Sequence, residues 1–321
     1  MRGLMFARVI LAAAFALTLP VLAQDYPGRP IKIIIPNPPG GASSILARVL
    51  GDKLKDRFGQ PVIIENRSGA GANIGAEAVY RAAPDGYTLL FTTPGPLAIN
   101  KMLYASLAYD PNAFVSISVV VISPTVLIAS VKLPVESLQE LIAYGKAHPG
   151  RLSYGSPGSG STGHLTAEML KSLAGLDIVH VPYKGIVPAR TDLLAGQVDI
   201  MFSEVGGALP LIQAGKVRAL AVGSEKRDAS LPDVPTLSEV LPGFVSSPWF
   251  GLVAPPGTPA AIASQLSAAI AETLKQPDVL QRVQSLSLEP VGSTPAQMDE
   301  FLKKEREFWG KAIRVSGARV D

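Results

Sequence analysis

Residues 31–50 indicate the fold class, and they read IKIIIPNPPGGASSILARVL. The apolar run at 31–35 predicts a buried β-strand, and the prolines and glycines that follow predict a stiff, tight turn. Leu46, Leu50 and Leu54 then recur at a spacing of four, which predicts a helix with one buried face. The stretch therefore predicts a strand, a Gly-rich loop and a helix, the repeating unit of α/β folds.

The second half of the chain repeats this layout around another Gly-rich loop. Strand-like residues 152–154 lead into GSPGSGSTG at 155–163, and Leu165, Met169 and Leu173 follow on one face of a predicted helix. Strand-like and helix-like segments alternate through the rest of the mature chain. This alternation and the length near 300 residues predict an α/β protein with two lobes.

The chain is expected to cross between the two lobes twice, near residues 123–124 and near residues 247–251. Amphipathic segments at 259–274 and 295–315 predict tail helices that pack back on the first lobe. Two crossings make a hinge that lets a clamshell open and close. The predicted domains are a signal segment at 1–23, lobe 1 at 24–124 and 250–321, and lobe 2 at 125–249.

The N-terminal residues follow the order of a secretory signal. Arg2 and Arg8 supply a positive start, residues 9–19 are apolar, and residues 21–23 precede a predicted cleavage before Gln24. An uncleaved membrane anchor is the alternative, but about 11 apolar residues fall short of the roughly 20 that span a bilayer. We therefore expect an exported protein that works in the periplasm.

The composition argues against several function classes. The formal charge of +3 becomes +1 when Arg2 and Arg8 leave with the signal segment, and the basic residues form no run suited to nucleic acid. The chain has no cysteine and only three histidines, so we expect neither a metal site nor a cofactor. Because 47% of the residues are hydrophobic, a sizeable core is available without disulfides.

Both Gly-rich loops have a design suited to an anion. Each leads into a helix start, where free backbone N–H groups and about half a positive charge are presented. In the first loop Gly40 and Gly41 permit close approach, and Ser43 or Ser44 can donate a hydroxyl. An ordinary capped helix after a tight turn is the alternative for each loop alone. In the second loop the same roles fall to Gly158, Gly160, Gly163, Ser159, Ser161 and Thr162.

The second loop resembles two enzyme motifs, but in each case a required residue is missing. Residues 158–163 match G-x-G-x-x-G, but the following strand does not end in the acidic residue of a dinucleotide site. The G-x-S-x-G elbow of α/β-hydrolases fails because Ser159 stands where glycine is required, and no histidine follows His180. A secreted esterase is thus the enzyme alternative to a binding protein. His164 is interpreted as a helix-start residue that donates a hydrogen bond to the loop or the ligand.

Further segments lie in register with the sequences of one protein family. They are YPGRPI at 26–31, ENRSGAGANIG at 65–75, APDGYT at 83–88, VPYKG at 181–185, LPDVPT at 231–236 and EPVGSTP at 289–295. With the two Gly-rich loops they cover nearly the whole mature chain. The sequence resembles the substrate-binding receptors of tripartite tricarboxylate transporters, the Bug family. The resemblance implies a type II periplasmic binding protein, a clamshell of two lobes, each with a central β-sheet flanked by helices.

The resemblance also implies how a ligand is held. Backbone amides of the two Gly-rich loops, helped by ordered water, are expected to bind a small carboxylate. The implied first-lobe contacts are Asn37, Gly40, Gly41, Ala42, Ser43 and Ser44. The implied second-lobe contacts are Ser156, Gly158, Ser159, Ser161, Thr162, His164, Gly185, Ile186 and Ser203. The implied partners are a large and a small integral membrane subunit, and we expect the receptor to be a monomer.

Three positions depart from the common pattern of the family. Ser44 and Ser203 stand where many relatives have aspartate, and Asn37 replaces a frequent aromatic residue. Because these changes remove partners for an ammonium group, we expect a plain or aromatic mono- or dicarboxylate rather than an amino acid. A ligand-sensing receptor of a signalling system is the alternative, since sensing and transport use the same clamshell.

Overall fold

The computed structural model describes residues 26–37, 39 and 42–320, so the predicted signal segment at 1–23 lies outside the described residues. Within the described part, eleven strands form two mixed β-sheets. The strands are β1 (Ile31–Ile35), β2 (Val62–Asn66), β3 (Thr88–Thr92), β4 (Val115–Ile122), β5 (Thr125–Ser130), β6 (Leu152–Ser156), β7 (Ile178–Pro182), β8 (Ile200–Glu204), β9 (Val217–Val222), β10 (Trp249–Ala254) and β11 (Glu289–Pro290).

Helices pack against both sheets. They are α1 (Ala42–Phe58), α2 (Asn73–Tyr80), α3 (Asn100–Leu103), α4 (Leu138–Ala147), α5 (Thr162–Ala174), α6 (Ile186–Ala195), α7 (Val205–Gln213), α8 (Leu237–Val240), α9 (Ala260–Thr273), α10 (Pro277–Ser285) and α11 (Pro295–Ser316). Short helical turns precede α2 at Ala70–Ala72 and α3 at Gly95–Ile99.

The first sheet has the strand order β11-β4-β10-β3-β1-β2. Strand β1 runs parallel to β2 and β3, while β10 is antiparallel to β3 and β4. On one face of this sheet Ile33 and Leu89 pack with Leu46 and Leu50 of α1, all of them buried. The predicted strand and the predicted apolar face of α1 thus form part of the core of the first lobe.

The second sheet has the strand order β7-β6-β8-β5-β9. Strand β6 runs parallel to β7 and β8, and β5 is antiparallel to β8 and β9. Only Ser123 and Pro124 separate β4 of the first sheet from β5 of the second. The chain returns to the first sheet between β9 and β10.

The loops that follow the parallel strands of both sheets lie towards the space between the sheets. The parallel strands β1, β2 and β3 end on one edge of the first sheet, and β6, β7 and β8 end on one edge of the second. Open α/β sheets bind ligands outside the carboxyl ends of such strands. The loops after these six strands are therefore the place to look for a site.

The last helix packs on both lobes. Met298 and Leu302 near the start of α11 are buried with Trp249 of β10, in the first lobe. Trp309 and Ile313 near its end belong to the buried cluster of the second lobe. The prediction that the tail packs on the first lobe therefore describes only half of α11. A 22-residue helix is about 33 Å long, which is enough to reach both cores.

Candidate functional site

A cavity of about 710 Å³ lies between the two lobes, at the loops that follow their parallel strands. From the first lobe it is lined by residues that follow β1, β2 and β3, namely Pro36, Asn37, Ser68, Gly69, Gly71, Ala72, Thr93, Pro94 and Gly95. From the second lobe it is lined by the loop after β6 and the end of β8, namely Pro157, Gly158, Ser159, Gly160, Ser161, Thr162 and Glu204. Both walls therefore come from the loops that the topology brings together.

The second-lobe loop is held in shape by its own hydrogen bonds. Ser161 is the N-cap of α5, and its Oγ accepts from the backbone N–H of His164 at 3.3 Å and donates to the carbonyl of Gly158 at 2.7 Å. The backbone N–H of Gly160 donates to Nδ1 of His164 at 3.0 Å, which requires that nitrogen to be unprotonated. His164 therefore contacts the loop as an acceptor, and the expectation that it donates to the loop is wrong for this nitrogen, because the backbone N–H of Gly160 supplies the hydrogen.

Gly160 also marks a close approach between the lobes. Its φ of +77° is in the left-handed region, and a Cβ at this position would lie 2.5 Å from Cδ2 of Leu103 in the first lobe. Glycine is thus required here both by the backbone conformation and by the neighbouring side chain.

A stack of three rings supports the loop from behind. The ring of His180 lies between Tyr154 and His164, with centroid distances of 4.7 Å and 4.2 Å. Burial lowers the pKa of both histidines, and for His180 burial together with the neighbouring His164 lowers the pKa to about 4. The stack is therefore neutral at neutral pH, as the hydrogen bond to Nδ1 of His164 requires.

One serine in this region contacts a histidine, which bears on the esterase alternative. Ser156 Oγ lies 2.7 Å from His180 Nε2, a distance at which a catalytic base contacts its serine. Ser156 is 0% exposed, however, so a substrate cannot reach its hydroxyl in this conformation. The pair orients the ring stack under the loop.

The first-lobe wall contains a Gly-rich loop that the site prediction from the sequence left out. Gly71 and Ala72 have positive φ values, and α2 begins directly afterwards with no side-chain cap. Asn100 fixes this loop, because its Nδ2 donates to the carbonyl of Gly71 at 2.9 Å and to Asn73 Oδ1 at 2.7 Å. The signal was present in the sequence, since Gly69 and Gly71 follow a strand and precede a helix, as in the other two loops.

The predicted site residues fall into three groups. Five line the cavity: Asn37, Gly158, Ser159, Ser161 and Thr162. Eight others are described but are not among its lining residues: Ala42, Ser43, Ser44, Ser156, His164, Gly185, Ile186 and Ser203. The last two, Gly40 and Gly41, lie outside the described residues.

The side chains of Ser44 and Ser203 are engaged within the protein. Ser44 is buried, and its Oγ accepts from Nδ2 of Asn66 at 2.9 Å. Ser203 is also buried, and its Oγ accepts from Nη2 of Arg190 at 3.1 Å. Together with Ile186, Ser203 borders a side cavity of about 30 Å³ next to the main one. Gly185 precedes α6 with a φ of +116°.

The electrostatics of the cavity rest on backbone groups. Among the described residues that line it there is no lysine, arginine or histidine, and the only charged side chain is Glu204. Helices α2 and α5 begin on its wall, after Ala72 and Ser161, whereas α7 begins after Glu204 and the backbone N–H of Val205 already donates to the carbonyl of Pro124. An anion in the cavity would therefore be held by backbone N–H groups and helix dipoles.

Two other kinds of site are not seen in the part of the chain that the structure describes. No group of three or more His, Asp or Glu side chains is arranged to hold a metal ion there. No helix between residues 26 and 320 is both long enough and apolar enough to cross a membrane, again counting only the described positions.

Comparison with known proteins places the chain in a family. Residues 46–317 match the tripartite tricarboxylate transporter family receptor, TctC. The chain belongs to this receptor family. Among its relatives is protein BugT of Bordetella pertussis, which is 40% identical over 314 residues that cover 97% of this chain and 96% of BugT.

Solved structures agree with this family assignment. Rpa4515 of R. palustris with adipate has a TM-score of 0.79 and 35% identity, with 92% of this chain and 100% of that chain covered. The periplasmic binding protein BugD has a TM-score of 0.75 and 34% identity, with 92% and 99% covered. The predicted resemblance to the Bug family and the predicted two-lobed periplasmic binding protein fold are therefore both confirmed.

Proposed function

We propose that this receptor encloses a small mono- or dicarboxylate in the cavity between its lobes and delivers it to a tripartite tricarboxylate-type transporter. The observation that carries the proposal is the lining of the cavity, where α2 and α5 begin and no cationic side chain is present among the described residues. Backbone N–H groups at helix starts bind carboxylates without a lysine or arginine. The adipate bound by Rpa4515 supports the same ligand class.

The proposal extends to the partners and the compartment. A receptor of this family would pass its ligand to a large and a small membrane subunit, and would act in the periplasm as a monomer after its signal segment is removed. Closure would pivot on the two crossings, at residues 123–124 and between β9 and β10, with lobe 1 at 24–124 and 250–321 and lobe 2 at 125–249. Two connections between the sheets support such a hinge, a short one at residues 123–124 and a longer one between β9 and β10.

A thermal-shift screen of residues 24–321 against a carboxylate library tests the ligand class. A ligand that binds only the folded form stabilises it by about 2.7 kcal/mol at a hundredfold excess over Kd. We expect at least one carboxylate to raise the melting temperature while its amide analogue does not. Equal shifts with acid and amide would contradict an anion site built from helix N-termini.

A further inference from the structure

The described lining of the cavity contains one charged side chain, and its charge has the same sign as the proposed ligand. We infer that Glu204 sets the specificity of the receptor. The carboxylate that fits would carry one negative charge, with a hydroxyl or ammonium group towards Glu204. A second carboxylate in that position would be excluded. The inference rests on the proposed function, because it concerns the ligand of the same cavity.

Glu204 stands on the hinge side of the cavity. It ends β8, where it pairs with Thr125 at the start of β5, and the next residue, Val205, donates its backbone N–H to the carbonyl of Pro124 at 2.9 Å. Ser123 and Pro248, which belong to the crossing segments, line the same cavity. A ligand that extends from the Gly-rich loop towards the hinge can therefore bring one of its polar groups to Glu204.

Glu204 precedes the first residue of α7 and has no cationic partner within the described part of the chain. None of the ion pairs formed there includes Glu204. The guanidinium of Arg190 lies beside Gly207 in the first turn of α7, and its Nη2 donates to Ser203 Oγ, but it forms no ion pair with Glu204. The side chain of Glu204 is exposed, so solvent stabilises its charge while the cavity is empty.

When a ligand displaces this solvent, the free energy of binding depends on the chemical group that the ligand places next to Glu204. A second carboxylate would bring two like charges together in a space that has lost water, where electrostatic repulsion is stronger than in bulk solvent. A hydroxyl or ammonium group would instead donate a hydrogen bond to the Glu204 carboxylate. Glu204 therefore favours the second type of ligand through both attraction and exclusion.

This inference revises the ligand expected from the sequence alone. The preference for a plain carboxylate and against an amino acid came from serine at positions 44 and 203. Both serine side chains are turned into the protein and are hydrogen-bonded there. Since neighbouring residues of a strand point to opposite faces, the residue after Ser203 faces the cavity instead.

Calorimetric titration of the mature protein with matched probes tests the inference. The probes are adipate, 6-hydroxyhexanoate and 6-aminohexanoate, with succinate, 4-hydroxybutyrate and 4-aminobutyrate as a shorter series. The wild-type protein should bind at least one hydroxy or amino acid about tenfold more tightly than the dicarboxylate of equal length, which corresponds to about 1.4 kcal/mol. Glu204→Gln should abolish this preference, chiefly by improving dicarboxylate binding.

The control variant removes the same charge elsewhere. Glu307 lies on the exposed face of α11 and lines none of the cavities described above, so Glu307→Gln should keep the wild-type preference. If the wild-type protein binds adipate and succinate as tightly as their hydroxy and amino analogues, the inference is wrong. It is also wrong if Glu204→Gln changes all probes equally. In both cases the proposed function still stands. Failure of every carboxylate, in this titration and in the thermal screen, would contradict both.

Discussion

At the residue scale, the hydroxyl of Ser161 stabilises both a helix and the loop that lines the cavity. Ser161 caps α5 and also holds the carbonyl of Gly158, so its Oγ is already engaged on the cavity wall. We expect Ser161→Ala to lower the free energy of unfolding by about 1 kcal/mol, measured by urea denaturation. Because the loop loses its shape, the affinity for a carboxylate should also fall.

Another serine provides the matched control for this change. Ser137 caps α4 in the same way, with its Oγ accepting from the backbone N–H of Glu140 at 3.2 Å, and it does not line the cavity. Ser137→Ala should cost a similar free energy of unfolding and leave carboxylate affinity unchanged. If both variants lost affinity equally, the effect would come from general destabilisation and not from the loop.

The buried ring stack predicts how stability depends on pH. The pKa of His180 is lowered from an ordinary 6.5 to about 4, first by burial and then by His164. Because the folded state favours the neutral ring, its contribution to stability is complete above about pH 6.5 and is lost as the pH falls towards about 4.

The melting temperature should therefore decrease across this interval. His180→Gln should melt lower at neutral pH, because the stack is lost, and should show a flatter decrease between pH 6.5 and 4. His148→Gln, at an exposed position after α4, should keep the wild-type profile. An unchanged slope in the His180 variant would mean that other groups dominate the acid sensitivity.

At the scale of elements, α11 depends on one buried carboxylate. Burial raises the pKa of Glu305, and its Oε2 accepts the indole N–H groups of Trp249 at 2.7 Å and Trp309 at 2.9 Å. Glu305→Leu would leave both indole groups without their acceptor and should lower the free energy of unfolding by about 2–4 kcal/mol. Glu305→Gln retains an acceptor oxygen and should lose less, about 1 kcal/mol, as measured by urea denaturation. Equal losses in the two variants would show that the indole hydrogen bonds contribute little.

The elements that sequence reasoning found are those with a strong local pattern. The isoleucine run of β1 and the leucines of α1 are examples, because their burial follows directly from spacing. The sequence predicts only a crossing at 247–251, whereas the structure has strand β10 there, paired with β3 and β4 on its two sides. Helix α10 was not predicted, because its nine residues bury only two side chains, Val279 and Val283. Both elements depend on contacts with distant parts of the chain and not on a local sequence pattern.

The candidate site was predictable to a similar extent. The Gly-rich loop after β6 lines the cavity, as its sequence indicates, because a glycine loop between a strand and a helix start is a local feature. Which side chain at the end of β8 faces the cavity is not local. It depends on the pairing of β8 with β5, which turns Ser203 towards Arg190 and leaves Glu204 on the cavity wall.

At the scale of the whole molecule, the two sheets and α11 determine where a ligand can be enclosed. The carboxyl ends of the parallel strands in both lobes face one space, and α11 packs into both hydrophobic cores. We expect the lobes to close on a carboxylate in this space, since loops from both lobes contribute to its wall. The central claim is therefore that the ligand lies between the lobes, against the loop after β6.

Calorimetric titration of a cavity-filling variant tests this claim most directly. Ser159 is exposed on the cavity wall, so Ser159→Trp should fill ligand space without disturbing the core. Ser264→Trp, on the exposed face of α9, is the control. With the carboxylate found in the thermal screen, we expect Ser159→Trp to lose about a hundredfold in affinity or more, about 3 kcal/mol, and Ser264→Trp to bind like the wild type. Wild-type affinity in a folded Ser159→Trp protein would place the ligand elsewhere and contradict the account.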